Sequence, residues 1–205
     1  VTFVGVSVTR GRYSTGEQFT FSVRIYPDNA TNQNYSIEVT GAIATYDGAN
    51  TISCVEGGEV TIKATAANGV NGSRTVKVVD LAAFASEVIR LTNVERASNG
   101  ASSLSQTSAL TKTAYTRANE IIRSFSHTRP DGRSCFTAFE ENGVSYYTAG
   151  ENIAMGQYTP DEVVQAWMDS PGHRANILST KFTSLGVGVT MDGNGTLYWS
   201  QSFIG

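Results

Sequence analysis

The chain has 205 residues, a length that admits one large domain or two small ones, and a formal net charge of −3 at pH 7. Only 16% of residues are charged, against roughly a quarter in an average globular protein; Ser, Thr, Asn and Gly fill the polar positions, as suits an exported surface. This balance supplies no basic field for gripping phosphates, which argues against nucleic acid as a partner, and no run of about 18 apolar residues exists to span a bilayer.

The chain opens in strand-like sequence without a charged n-region and apolar h-region, so any export signal is expected to have been removed or to lie outside this sequence. In "FTFSVRI", Phe19, Phe21, Val23 and Ile25 alternate with Thr20, Ser22 and Arg24, the period-two pattern of a half-buried strand. Tyr35, Ile37 and Val39 share a face in "YSIEV", as do Val60, Ile62 and Ala64 in "VTIKA" and Val76 and Val78 in "TVKVV". Ile52 and Cys54 have one parity in "TISCV", which points the thiol inward. Turn residues separate these runs in "PDNATN", "DGAN", "EGG" and "NGVNG", at the spacing of a β-sandwich. The stretch "YSTGEQFTFSVRI", with "GGEVTIKATAANG" and a final "VKV", resembles the bacterial immunoglobulin-like modules of surface proteins over residues 1–79. That resemblance implies a spacer or adhesive unit without chemistry of its own.

Past residue 80 the period becomes helical. Leu81, Phe84, Val88 and Leu91 recur at helical spacing, and Gly100 can stop that helix. Leu110, Ala114, Ala118, Ile121 and Ile122 form the apolar stripe of a second helix leading to His127. Thr159, Pro160 and Glu162 make a capping box with Pro at the first helical position, so a third helix is expected from 160. Ser170 and Pro171 repeat the start signal and put His173 in the first turn of a further helix. The closing "LGVGVTMDGNGTLYWSQSFI" predicts an antiparallel hairpin around "DGNG". Helices with a terminal hairpin suggest an α/β/α layered domain over residues 80–205, joined to the first without a Pro- or Gly-rich linker.

Five motifs then stand in order: "NVERASNG", "HTRPDG", "GENIA", "AWMDSPGHRANIL" and "LGVGV". Together they resemble a CAP domain, the superfamily of cysteine-rich secretory proteins, antigen five and plant pathogenesis-related proteins, in its bacterial SCP-like form. The resemblance implies an α/β/α sandwich whose cleft gathers two histidines and two glutamates, an extracellular location, either secreted or surface-attached, and a ligand, lipid or surface component as partner. His127 matches the first histidine, Glu151 the glutamate of "GEN" and His173 the second histidine. The second glutamate, expected three positions after Trp167, is missing: Ser170 stands there, with Asp169 just before it as a substitute candidate.

His127 and His173 are the only two histidines of the chain. With Glu151 they are a sufficient set for Zn2+ or another divalent metal with an open water position. A zinc-dependent hydrolase of peptides or esters, with Glu151 as ligand or general base, is therefore an alternative to a ligand-binding cleft, and pure structural display is a third reading. Arg129 and Asp131 are expected to order a turn, Asn152 to clamp backbone, Arg174 and Asn176 to fix the helix after His173, Trp167 to lie in the core and Ser170 to cap a helix. Cys54 and Cys135 lack the paired spacing of a metal knuckle or redox motif and are expected to be small buried hydrophobes, an interdomain disulfide being the alternative.

Overall fold

A computed structural model describes residues 1–41 and 44–205. The chain divides into two compact units, Val1–Asp80 and Leu81–Gly205.

The first unit holds β1 (Phe3–Val8), β2 (Arg12–Ser14), β3 (Gln18–Tyr26), β4 (Tyr35–Thr40), β5 (Ala44–Tyr46), β6 (Thr51–Cys54), β7 (Gly58–Ala66) and β8 (Asn71–Val79). They form two four-stranded sheets, ordered β1-β3-β6-β5 and β2-β8-β7-β4. Alternation does what the sequence predicts: Phe19, Phe21 and Ile25 are buried while Thr20, Ser22 and Arg24 are exposed. Side chains from both sheets, among them Tyr13, Phe19, Ile52, Val60, Ile62 and Val78, share one core. Cys54 is part of it, and both cysteines are free thiols. The expected face of Tyr35, Ile37 and Val39 is only partly covered, Tyr35 being exposed, because β4 lies at the edge of its sheet.

The second unit comprises α1 (Leu81–Ser98), α2 (Ser108–Arg123), α3 (Thr137–Glu141), β9 (Ala149–Met155), α4 (Pro160–Asp169), α5 (Pro171–Leu178), β10 (Ser184–Met191) and β11 (Leu197–Ile204). The three strands form an antiparallel sheet in the order β10-β11-β9. Helix α2 packs on one face. It comes close because Gly186 and Gly188 present no side chain there: a Cβ at either would run into the backbone of α2 at Leu110 or Ala114. On the other face Trp199 stacks against Phe84 of α1, with ring centroids 6.0 Å apart, and α4 and α5 complete the layer.

Helix α1 departs from its predicted apolar stripe. Of Leu81, Phe84, Val88 and Leu91 only Val88 is fully buried, and it shares its face with Thr92 and Arg96. Both polar side chains are satisfied: Thr92 Oγ1 accepts from Gln201 at 2.8 Å, and Arg96 donates to the carbonyls of Ser102, Ile177 and Ser179 at 2.6–2.8 Å. Arg96 thus ties α1 to the end of α5, where helical carbonyls lack partners of their own. Gly100, at φ +74°, turns the chain just after α1.

Thr159 caps α4 as expected, its Oγ1 accepting from the Glu162 amide at 3.2 Å. Ser170 differs. It occupies the N-cap of α5 by backbone geometry, but its side chain makes no capping bond; its carbonyl accepts from Arg174 instead. Glu151 lies inside β9 opposite Ser202. Neighbouring Gly150 permits this, because the Phe182 ring packs 2.8 Å from where a Cβ would stand. Among the described residues no helix is long and apolar enough to cross a membrane.

Candidate functional site

The stretch "HTRPDG" folds into a tight hairpin. The Gly132 amide donates to the Arg129 carbonyl at 2.8 Å, and Gly132 takes φ +87°, which favours glycine. Asp131 accepts from the Arg133 amide at 3.0 Å, the turn-ordering role expected of it. Thr128 and Ser134 form an isolated bridge, and the Cys135 amide donates to the His127 carbonyl at 3.0 Å. The hairpin therefore returns Cys135 to the side of His127.

Glu151 reaches this pair from β9. Its side chain is only 1% exposed, and Arg117 reaches both of its oxygens, Nη2 donating to Oε1 at 3.3 Å. Oε2 accepts from Arg117 Nε at 2.6 Å, while Oε1 lies 2.8 Å from His127 Nδ1. Arg117, fully buried on α2, also donates to the Ser126 carbonyl at 2.7 Å and pairs with Glu120. Glu120 in turn accepts from Arg129 at 2.6 Å, and Arg129 continues to Glu141. Arg129 orders its turn, then, but does so as one member of an alternating chain of charges that anchors the hairpin to α2.

Burial alone would raise the Glu151 carboxyl, yet the hydrogen bonds from His127 and Arg117 and their charges outweigh it and hold the group below its ordinary value. Burial, reinforced by the Glu151 charge, pushes the Cys135 thiol up to about 11, and the thiol hydrogen-bonds to Glu151. His127 itself is more than half exposed. The resulting cleft, about 570 Å³, is lined by His127, Thr128, Ser134, Cys135, Phe136, Glu151 and Asn176. A larger and more apolar cavity of about 810 Å³ lies elsewhere, between α1, α2 and β10, and is not lined by His127, Glu151, Asp169 or His173.

His173 enters from α5. A polar row sets its backbone: Asn152 donates to the His173 carbonyl at 3.1 Å and to Gln201 at 3.0 Å, while Asn176 donates to Asn152 Oδ1 at 2.9 Å. Asn152 thus clamps backbone as the sequence suggests, while Asn176, expected with Arg174 to fix this helix, ties it to Asn152, and Arg174 donates to Asn99 just past the end of α1. Burial, then the nearby positive charge of His127, holds the His173 imidazole below its ordinary value. Trp167 is buried, its indole N–H donating to the Ile153 carbonyl. Asp169 is exposed and accepts from Gln165, one turn back on its own helix.

Among the described residues the group with metal-ligand spacing is His127, Cys135 and Glu151, whose ligand atoms lie within 4.8 Å of one another. His173 and Asp169 are not members of it. Two residues of this cleft, Arg117 and Cys135, stand outside the sequence motifs. Arg117 had a signal, being a charged residue inside the apolar stripe between Ala114 and Ala118. Cys135 had none, since its place depends on closure of the hairpin.

This α/β layering, with a carboxylate and an exposed imidazole in one cleft, defines a CAP-type unit. The cysteine-rich secretory protein family (CAP) matches residues 89–203, and the chain belongs to that family. The uncharacterized protein YkwD of Bacillus subtilis is 43% identical over 127 residues, which are 61% of this chain and 48% of YkwD, so the chain spans about half of that relative. An extracellular protein containing an SCP domain from Bacillus anthracis shares the fold with a TM-score of 0.56 at 21% identity, over 79% of this chain and 66% of that one. An outer surface protein of Borrelia burgdorferi matches with a TM-score of 0.57 at 20% identity, over 62% of this chain and 95% of its own.

Proposed function

We propose that the chain is the ligand-binding part of an extracellular bacterial protein, in which residues 1–79 form an immunoglobulin-like spacer and residues 80–205 a CAP domain that receives a ligand at His127, Glu151 and His173. The observation that carries this reading is an exposed imidazole fixed by a buried, ionised carboxylate: His127 is oriented by Glu151, which Arg117 holds. Such preorganisation reduces the ordering cost of binding. Around it stand two hydroxyls, Thr128 and Ser134, the Asn176 amide and the Phe136 ring, a mixture suited to a hydroxyl- and amide-bearing ligand such as a cell-envelope glycan. The extracellular setting is supported by the low charge content and by the structural neighbours, an extracellular protein and an outer surface protein. The hydrolase alternative has no such support: both Glu151 oxygens are engaged, which leaves no free general base.

Soluble peptidoglycan fragments, titrated in the presence of a chelator while the two imidazole signals are followed by NMR, test the reading. Saturable displacement of the His127 signal is expected in the wild type, and the binding, followed in the variants through the His173 signal, should be weakened at least about tenfold in His127→Ala and Glu151→Gln, a loss of about 1.4 kcal/mol. Unmoved imidazole signals, or equal binding by both variants, would overturn it.

A further inference from the structure

The outer edge of β10 is met by the rest of the chain at one residue. The Ser105 amide donates to the Thr183 carbonyl at 2.9 Å, and the Ser105 carbonyl accepts from the Leu185 amide at 2.8 Å, a parallel bridge. The Leu185 amide therefore points away from β11, and alternation along an antiparallel pair turns the N–H and C=O groups of Val187 and Val189 to the same outer edge. Past Ser105 the chain leaves for α2, which begins at Ser108, and among the described residues no strand takes its place, since β10 ends the sheet. Val187, Gly188 and Val189 instead form the strand wall of the cavity of about 810 Å³ between α1 and α2. We propose that this cavity binds one extended peptide segment, apolar with an acidic residue, which adds to β10 as a fourth strand. The site is separate from the His127 cleft and does not rest on the reading above.

The chemistry of the edge selects this occupant. Two N–H and two C=O groups, carried by residues two positions apart, are the pattern that a paired strand answers with its own backbone. An acyl chain would fill the apolar wall of Leu81, Ala82 and Ala85, but it would seal those backbone groups from water without giving them partners. A second copy of the chain is excluded by depth. Val187 and Val189 are 1% and 2% exposed, and strands pair about 4.8 Å apart, closer than two recessed edges flanked by helices can come. A single extended segment is thin enough. Its way in passes Ala82, Lys112 and Tyr115, all exposed, where alanine leaves space and the two long side chains can swing aside. Among the lining residues Lys112 alone is charged, and its ammonium assigns the segment an acidic residue.

The probe is the acetylated, amidated hexapeptide DVTVTV, titrated into the isotope-labelled full chain and followed by NMR. The amide signals of Val187 and Val189 should move downfield and saturate as their N–H groups gain acceptors. N-methylation of alternate peptide residues reads the edge directly: methyls on the parity that faces β10 should weaken binding at least about tenfold, and methyls on the other parity should leave it unchanged. Ala85→Leu, which fills the cavity from α1, and Lys112→Glu, which repels the aspartate, should each weaken binding while keeping native tryptophan fluorescence. Equal binding by the two methylated peptides, the behaviour of a groove that takes any apolar occupant such as laurate, would overturn the assignment. So would unmoved Val187 and Val189 signals, full binding in either variant, or signals that move with protein concentration alone, the mark of a second copy.

Discussion

Arg117→Met removes the one guanidinium that faces the buried Glu151 carboxylate, and structural consequences follow at several points. Its side chain is fully buried, and it serves Glu151 at 2.6 Å, the Ser126 carbonyl at 2.7 Å and Glu120. Methionine fills much of the volume but leaves Glu151 ionised, 1% exposed and without the guanidinium, with only His127 beside it. Removing one partner of a buried ion pair costs about 3–5 kcal/mol. Glu120 retains Arg129, so the loss centres on Glu151 and the Ser126 carbonyl. Both tryptophans, Trp167 and Trp199, lie in Leu81–Gly205, so tryptophan fluorescence during urea unfolding follows that unit alone. With a slope of about 1–3 kcal/mol per molar, the midpoint should fall by about 2 M at pH 7. The pH dependence has a definite sign. In the wild type the depressed Glu151 carboxyl contributes stability above its unfolded value, lost only as pH falls through the lower folded value. In the variant only His127 still opposes burial, so the carboxyl lies higher than in the wild type and the folded state takes up a proton at higher pH. The gap between the two proteins should therefore narrow from pH 7 to pH 4. A loss at pH 7 below about 0.5 kcal/mol, the size of an ordinary surface substitution, or a gap that widens toward pH 4, would refute the reasoning.

Gly188→Ala should destabilise the same unit by about 1–3 kcal/mol or more, read by the same fluorescence, because the new methyl meets the α2 backbone at Ala114 rather than a side chain that can turn away. His127→Ala should raise the NMR titration midpoint of His173 toward the ordinary imidazole value, since one of the two influences depressing it is the His127 charge; an unchanged midpoint would mean burial acts alone. Cys135, buried and pushed up to about 11, should resist an aromatic disulfide reagent at pH 8 in the native, metal-free protein and react promptly after unfolding, and fast native reaction would contradict the geometry.

Local patterning was enough to determine the elements. Period-two runs such as Phe19–Ile25 became strands, Thr159 and Pro160 started a helix where capping chemistry requires one, and "DGNG" closed the final hairpin, because each of these depends on residues within a few positions of one another. The ordered motifs likewise identified the CAP family and named His127 and Glu151, which the structure joins at 2.8 Å. What only the tertiary structure decided is what stands opposite what. Arg96 and Thr92 replaced part of the expected apolar face of α1 because carbonyls at the end of α5 accept from Arg96 and the Gln201 amide on β11 donates to Thr92. Glu151 became a strand residue because β11 lay alongside to pair with it. Cys135 joined the site through a hairpin that no spacing rule announces, and Arg117 became the counterion that keeps the carboxylate charged while buried. Propensity and capping act over one turn of chain, whereas burial, ion pairing and ligand geometry are set by segments that meet only after the sheet and helices have packed.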